Sequence, residues 1–200
     1  MVTASTRATL EDFLRAEAEA AEDAELALID GEIVDLRSGK KARGPRQSRV
    51  VARLCYLLWT WLEHRPELVG GVDASETRCR LSRAPERVVN LDCGVWIGEK
   101  FIVPPNDPPL YDSPPRLAVE VLLPSDKYGD LTRKLQYLLD AKVPVVWYID
   151  PDCETVRIYS PDAPPVMYNS RQTIPEDPAL PGLTLAVADI FPSKTTRKSA

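Results

Sequence analysis

Two acids stand where strand packing does not ask for them. Glu120 sits at the centre of LAVEVLL (117–123), and Asp92 sits inside RVVNLDCGVWI (87–97). No cation lies within two residues of Glu120. An ionised carboxylate among apolar neighbours must find a partner or take up a proton. Strand alternation turns Val119 and Val121 one way and Glu120 the other, yet Ala118 and Leu122, on the face of Glu120, are apolar. Asn90 and Gly94 share a face with Asp92, and that face reads as small and polar, like the wall of a cleft. One reading points both acids to solvent on a half-covered sheet. The other makes them a functional carboxylate pair.

A lysine follows. In PSDKYGDLTRKLQYLLDAK (124–142) the leucines set a helical stripe centred near Leu135, and Lys134 falls on its flank, ~100° away. Asp130, four residues earlier, offers Lys134 a surface ion pair worth a few tenths of a kcal/mol, on the order of any such helix pair. The alternative is that Lys134 leans over the sheet end toward the carboxylates. An Asp, a Glu and a Lys in reach of one another form a recognisable chemical set. Two carboxylates can hold a hard dication such as Mg²⁺. The ion polarises a phosphodiester and acidifies a bound water, and a lysine orients that water or steadies the developing charge.

The elements that must position these groups are legible. Residues 9–24 are rich in helix formers, with Thr9 or Ser5 as cap, and so poor in large apolar residues that a surface helix is expected. ELALIDGEIVDL (25–36) alternates around Asp30-Gly31, a hairpin signal. Pro45 suits the first turn of a helix over about 46–65. VGGVDAS, TRCRLS and RVVNLDCGVWI read as strands with turns between them. Residues 98–115 form a loop with six prolines. LAVEVLLP, the helix after it and PVVWYIDPD make a βαβ crossover, with ETVRIYS as a hairpin partner, and LTLAVADIF is a last short element. The fold class is α/β with a mixed sheet. An N-terminal helix (1–24), one domain (25–191) and a basic tail (192–200) are expected.

The net charge is −5, so the chain as a whole is not a polycation built for nucleic acid. From Leu36 to Leu62, however, there is no acid; Arg46, Arg49 and Arg53 fall at helical spacing, and Arg43 in the preceding loop joins them as a basic edge. The plain reading is a solvated helix face; the other is a phosphate-binding edge. Cys55, Cys79, Cys93 and Cys153 show no zinc spacing, and Cys55 and Cys93 read as core thiols. No apolar run suits a signal peptide or a membrane helix, and a cytoplasmic protein is expected.

ALIDGEIVDL, RVVNLDCGVWIGE, PPRLAVEVLLPSDKYGDLTRKLQYLLDAKVPVVWYIDPDCETVRIYS and LPGLTLAVADIF together resemble the Uma-two family of putative restriction endonucleases, within the PD-(D/E)XK nuclease superfamily. The resemblance covers about residues 25–191. It implies a restriction-endonuclease-like core, a mixed central β-sheet flanked by helices, and a metal-dependent DNA endonuclease using Mg²⁺ or Mn²⁺. By motif, Asp92 and Glu120 take the places of the two metal-binding acids, with the Val121 carbonyl completing the shell. Glu32 matches a further acid near the site. The lysine that the superfamily places two residues after the glutamate is Leu122 here, and Lys134 matches a lysine on the following helix instead. Leu91-Asp92 stands for Pro-Asp, Leu123-Pro124 for Ser-Pro, and Arg46-Gln47 for His-Gln. These departures keep a rival reading open: a catalytically inactive DNA-binding or protein-interaction module on the same fold. Cutting both strands of DNA leads to the expectation of a homodimer. Trp59 and Trp61, two apart on one helix, cannot share a face, so one of them is a candidate for that interface.

Overall fold

The computed structural model describes residues 7–21, 24, 26–35, 44–101 and 110–191. Ser5, Arg43 and the basic tail, 192–200, lie outside the described residues.

The first helix, α1 (Leu10–Glu19), begins at Thr9 in a capping box: the Asp12 amide donates to Thr9 Oγ1, and the Thr9 amide donates to Asp12 Oδ2. It is shorter than the helix-forming composition suggests. Nor does it merely lie on the surface, because Phe13 is fully buried against Leu28 and Val88. Phe13, with half-buried Leu10 and Leu14 beside it, anchors the helix.

Strands β1 (Leu26–Ile29) and β2 (Glu32–Asp35) form the expected hairpin, with Asp30 and Gly31 both at positive φ. That conformation matches a primed turn, which explains Asp-Gly there. Helix α2 (Pro45–Glu63) starts with Pro45 in its first turn and buries Val50, Val51, Leu54, Leu58, Trp61 and Leu62.

Strands β3 (Gly70–Arg83) and β4 (Glu86–Ile97) form a long antiparallel hairpin. The turn expected between VGGVDAS and TRCRLS is instead a bulge: Ala74 pairs with Cys93 and Thr77 with Leu91, so residues 75–76 stand opposite Asp92. A bulge increases local twist and re-aims neighbouring side chains.

Strand β5 (Leu117–Val121), helix α3 (Tyr128–Asp140) and strand β6 (Val145–Asp150) form the crossover, and β5 and β6 run parallel. Strand β7 (Thr155–Ser160) follows antiparallel. Strand β8 (Ala163–Asn169) was not anticipated, because Pro164-Pro165 argues against a strand. It sits at the sheet edge, where prolines leave no ladder unsatisfied. The last apolar stretch divides between β10 (Leu185–Ala186), paired with β9 (Thr173–Ile174), and α4 (Val187–Ile190).

The main sheet has eight strands in the order β2-β1-β4-β5-β6-β7-β8, with β3 beside β4. Because β3 follows β4 along its length, β1 and β5 share the other edge of β4. Strand β1 pairs at Arg87 and Val88, and β5 at Cys93, Gly94 and Val95. Residues 89–92 lie in the notch between them.

The two faces are covered by different helices. Val119, Val121, Trp147 and Ile149 pack with α2, whereas Ala118, Val146 and Tyr148 pack with Leu138 of α3. Along β4 the alternation breaks at Asp92. Cys93 and Val95 belong to the α2-side core, yet Val89 and Leu91 belong to the α3-side core. The twist at the bulge turns the strand over at the acid.

Leu138 is the fully buried apolar anchor of α3. Leu138→Ala should cost about 2–5 kcal/mol, read as a lower urea midpoint at unchanged slope.

Candidate active site

Glu120 occupies a strand in which every residue from 117 to 121 is buried, and it is itself 8% exposed. Its partner is Lys134, whose Nζ lies 2.7 Å from Glu120 Oε1. Lys134 is also 8% exposed. The stripe that α3 buries runs through Lys134 and Leu138, four residues apart on one face, while Leu131, Leu135 and Leu139 are half-buried on its sides. The helix is therefore rotated from the position that its leucines suggest. The ammonium lies over the sheet because the carboxylate there requires it. The turn after β5 fixes that approach: the Leu123 amide donates to Asp126 Oδ2 at 2.8 Å and closes residues 123–126.

Two neutral groups complete the surroundings. Tyr148, beside Glu120 in the β5–β6 register, donates its hydroxyl to the Leu131 carbonyl at 2.8 Å. Burial, then the Glu120 charge, raises the pKa of its phenol. Cys79, fully buried, has its pKa pushed up to about 12 by burial; Lys134 opposes that shift and Glu120 adds to it. Both therefore stay protonated near neutrality, and Cys79 offers no thiolate to compete for a metal.

Asp92 is 4% exposed. The β4–β5 ladder ends at Cys93↔Val119, and one further step of that register sets Asp92 opposite Glu120. The Leu122 amide donates to Ile149 on β6, so the Val121 amide points the other way, toward β4. A continued ladder would give that amide to the β4 backbone. It donates instead to Asp92 Oδ2, at 2.7 Å. The side chain of Asp92 thus spans the opening where the two strands part. The Val121 carbonyl lies on the same edge of β5 as its amide.

The notch opens into a cleft of about 530 Å³ between the β1–β2 hairpin and α3. Lys134 lines it, with Glu32, Asp30, Arg7, Asp130, Arg133 and Tyr137. Glu32 is exposed on the hairpin wall, and its carboxylate shares the cleft with Lys134. Lys134 and Glu32 reach the cleft wall, whereas Asp92 and Glu120 lie behind it, and Asn90 and Gly94 do not line it either. Gly94 has a packing reason: a Cβ there would meet the Trp96 ring at 2.4 Å.

Arg87 was not singled out from the sequence, where it is one arginine at a strand start. In the fold it clamps the cleft. Its Nε is 2.7 Å from Asp30 in the hairpin, and its guanidinium lies 4.6 Å from the centroid of the Tyr137 ring on α3. The Asp30 hydrogen bond raises its pKa further.

The α2 arginines are not brought to this site. Helix α2 covers the opposite sheet face, and Arg46, Arg49 and Arg53 are exposed on it. Arg46 pairs with Asp152 at 2.9 Å, and Arg53 donates to the Asp189 carbonyl at 3.0 Å. Of the two tryptophans, Trp61 is buried and Trp59 is exposed.

Among the described residues there is no group of three or more His, Cys, Asp or Glu side chains arranged to hold a metal ion. The donor set nonetheless fits a hard dication. A buried carboxylate paired with Lys134 stands beside a second buried carboxylate, all the side-chain donors are oxygen, and Mg²⁺ commonly uses one or two carboxylates with water and substrate oxygens.

Removing Lys134 alone leaves Glu120 buried without its cation, at a cost of roughly 3–5 kcal/mol. Lys134→Met should therefore destabilise strongly, and Glu120→Gln with Lys134→Met should cost less than the sum of the single changes. Chemical denaturation of the four proteins of the cycle measures this; additive costs would mean that the pair is not coupled.

The Uma2 family, described as "Putative restriction endonuclease", matches residues 10–188 of the chain. No curated protein matches it. Among solved structures, a putative nuclease belonging to DUF820 from Anabaena variabilis is similar to it with a TM-score of 0.74 at 19% sequence identity, over 92% of this chain and 97% of that one. At that identity the likeness speaks for the fold, which is restriction-endonuclease-like, and the family match carries the assignment. The chain belongs to the Uma2 family.

Proposed function

We propose that the cleft is the active site of a DNA endonuclease that hydrolyses phosphodiester bonds with Mg²⁺ or Mn²⁺. The observation that carries this reading is the buried Lys134–Glu120 pair beside Asp92, at the point where β4 and β5 part. A stability role explains one buried ion pair poorly, since an apolar pair of the same volume usually does as well. For the second buried acid it offers the acceptance of the Val121 amide, which uses one of the two carboxylate oxygens.

The roles follow from position. Asp92, Glu120 and the Val121 carbonyl would hold the ion. When bound, it would supply Lewis-acid polarisation of the phosphodiester and an acidified water. Lys134, which donates to Glu120, would orient the attacking water and steady the charge that develops on the phosphoryl oxygens. Glu32, across the cleft, balances the charge of Lys134 and steers it. Arg133 is exposed on the cleft wall next to Lys134 and is placed to contact a backbone phosphate. Arg46, Arg49 and Arg53 lie across the sheet, so in this reading they add only to the long-range field. We place the enzyme in the cytoplasm as a homodimer, with exposed Trp59 and Tyr56 of α2 as the interface candidates. A monomeric mass by light scattering would remove that part.

One observation favours a second reading. The Glu120 charge is already matched by Lys134, Leu122 stands where the superfamily pattern has lysine, and Leu123 stands where the family has serine. A binding module without turnover would retain DNA in a gel shift and never cut it.

Supercoiled plasmid separates the two readings. With Mg²⁺ or Mn²⁺ the wild-type protein should nick it. Glu120→Gln and Asp92→Asn should lose at least about a hundredfold in rate, by analogy with the loss of a single electrostatic group, while remaining folded by circular dichroism. Equal cleavage by wild type and Glu120→Gln would exclude this site. Arg133→Ala should also lower the slope of log affinity against log salt by about one, whereas Arg49→Ala should leave it unchanged.

A further inference from the structure

The residue after Asp92 has an unused chemistry. Cys93 is fully buried in the α2-side core, and its Sγ lies 3.3 Å from Sγ of Cys55 on α2. Both are free thiols. Cys55 is half-buried and therefore reachable by a small molecule, while Cys93 is not. Cys79 is buried elsewhere, and Cys153 is exposed on its own. A reachable thiol in contact with a buried one has the arrangement of an attacking and a resolving cysteine.

We propose that Cys55 and Cys93 are an oxidation site, which a peroxide converts into a disulfide that disturbs Asp92. The Cys55 sulfur attacks one peroxide oxygen; the O–O bond breaks, water leaves, and Cys55 becomes a sulfenic acid. The Cys93 sulfur then attacks the Cys55 sulfur. The S–O bond breaks, a second water leaves, and an S–S bond forms. Two thiols lose two electrons and two protons, and one peroxide becomes two waters.

A disulfide holds its sulfurs at about 2.05 Å. Closing the pair therefore shortens the Sγ–Sγ separation by about an ångström, one residue from Asp92. Cys93 moves toward α2, and the strand is drawn away from β5 where Asp92 holds the Val121 amide. A misplacement of about that size is enough to slow a positioned reaction a hundredfold. This last consequence for activity rests on the nuclease reading; the chemistry of the pair does not.

The test treats the full-length protein with hydrogen peroxide and maps its peptides without reductant. The expected product is a Cys55–Cys93 cross-link, two hydrogens lighter than the separate peptides, reversed by dithiothreitol and absent from Cys55→Ser. Sulfinic acid at Cys55 with Cys93 still a thiol, or cross-links through Cys153 alone, would overturn it. Hydrogen exchange reads the coupling to the site without DNA. The Val121 amide should exchange several-fold faster in the oxidised protein than in the reduced one, and peroxide should not change it in Cys55→Ser. A cross-link that leaves Val121 unchanged would overturn the coupling. Nicking should fall on oxidation and return on reduction. A reduced protein that never nicks, yet shows both the cross-link and the exchange change, would remove the nuclease reading and leave the thiol pair standing.

Discussion

A carboxylate inside an apolar strand requires a cation, and most of the architecture around β5 is arranged to bring one. Glu120 is held among Val119, Val121 and Ala118, on a strand that is covered on both faces. Lys134 reaches it because α3 rotates so that a lysine, with Leu138 one turn later, faces the sheet. The helix hides a charged residue and leaves Leu131, Leu135 and Leu139 half-exposed, a cost that only a strong local demand offsets. The pair is the constraint. The closed turn at 123–126 and the rotation of α3 follow from it.

The second acid depends on an interruption in the sheet. Strand β4 cannot stay paired with both β1 and β5 along one edge, and residues 89–92 fall in the gap. The bulge opposite Asp92 supplies the twist, and the Asp92 carboxylate takes the amide that the ladder leaves behind. The backbone of the sheet is thus satisfied by a side chain at the one place where the sheet must open. A polar group used in that way stands opposite Glu120, while Lys134 reaches the cleft under the β1–β2 hairpin. Arg87 keeps that hairpin against α3 through Asp30 and Tyr137.

Much of this was legible before any coordinates. The hairpin showed through Asp-Gly, the crossover through two buried strands around an amphipathic helix, and the site through two acids that had no packing reason. What sequence reasoning missed has physical causes. Alternation put Asn90 and Gly94 on one small, polar face with Asp92, but the bulge turns the strand over at that residue. Leucine spacing placed the centre of α3 at Leu135, because a rule that counts apolar residues cannot see a buried lysine paired across the sheet. The α2 arginines read as a phosphate-binding edge, and spacing along a helix says nothing about which sheet face that helix covers. Arg87 carried no local signal; its partners are remote in sequence. Pro164-Pro165 hid β8, because the prohibition on proline in strands does not hold at an unpaired edge.

The central claim is that Asp92 and Glu120 together form a cation site, with Lys134 as resident partner rather than as substitute for the metal. Thermal melting with rising Mn²⁺ tests it most directly and needs no substrate. An ion that binds only the folded chain raises its stability by about 2.7 kcal/mol at a hundred times its dissociation constant. The account predicts a melting temperature that climbs with Mn²⁺ in the wild-type protein and stays flat in Asp92→Asn. A wild-type protein indifferent to Mn²⁺, or an equal climb in both proteins, would contradict it.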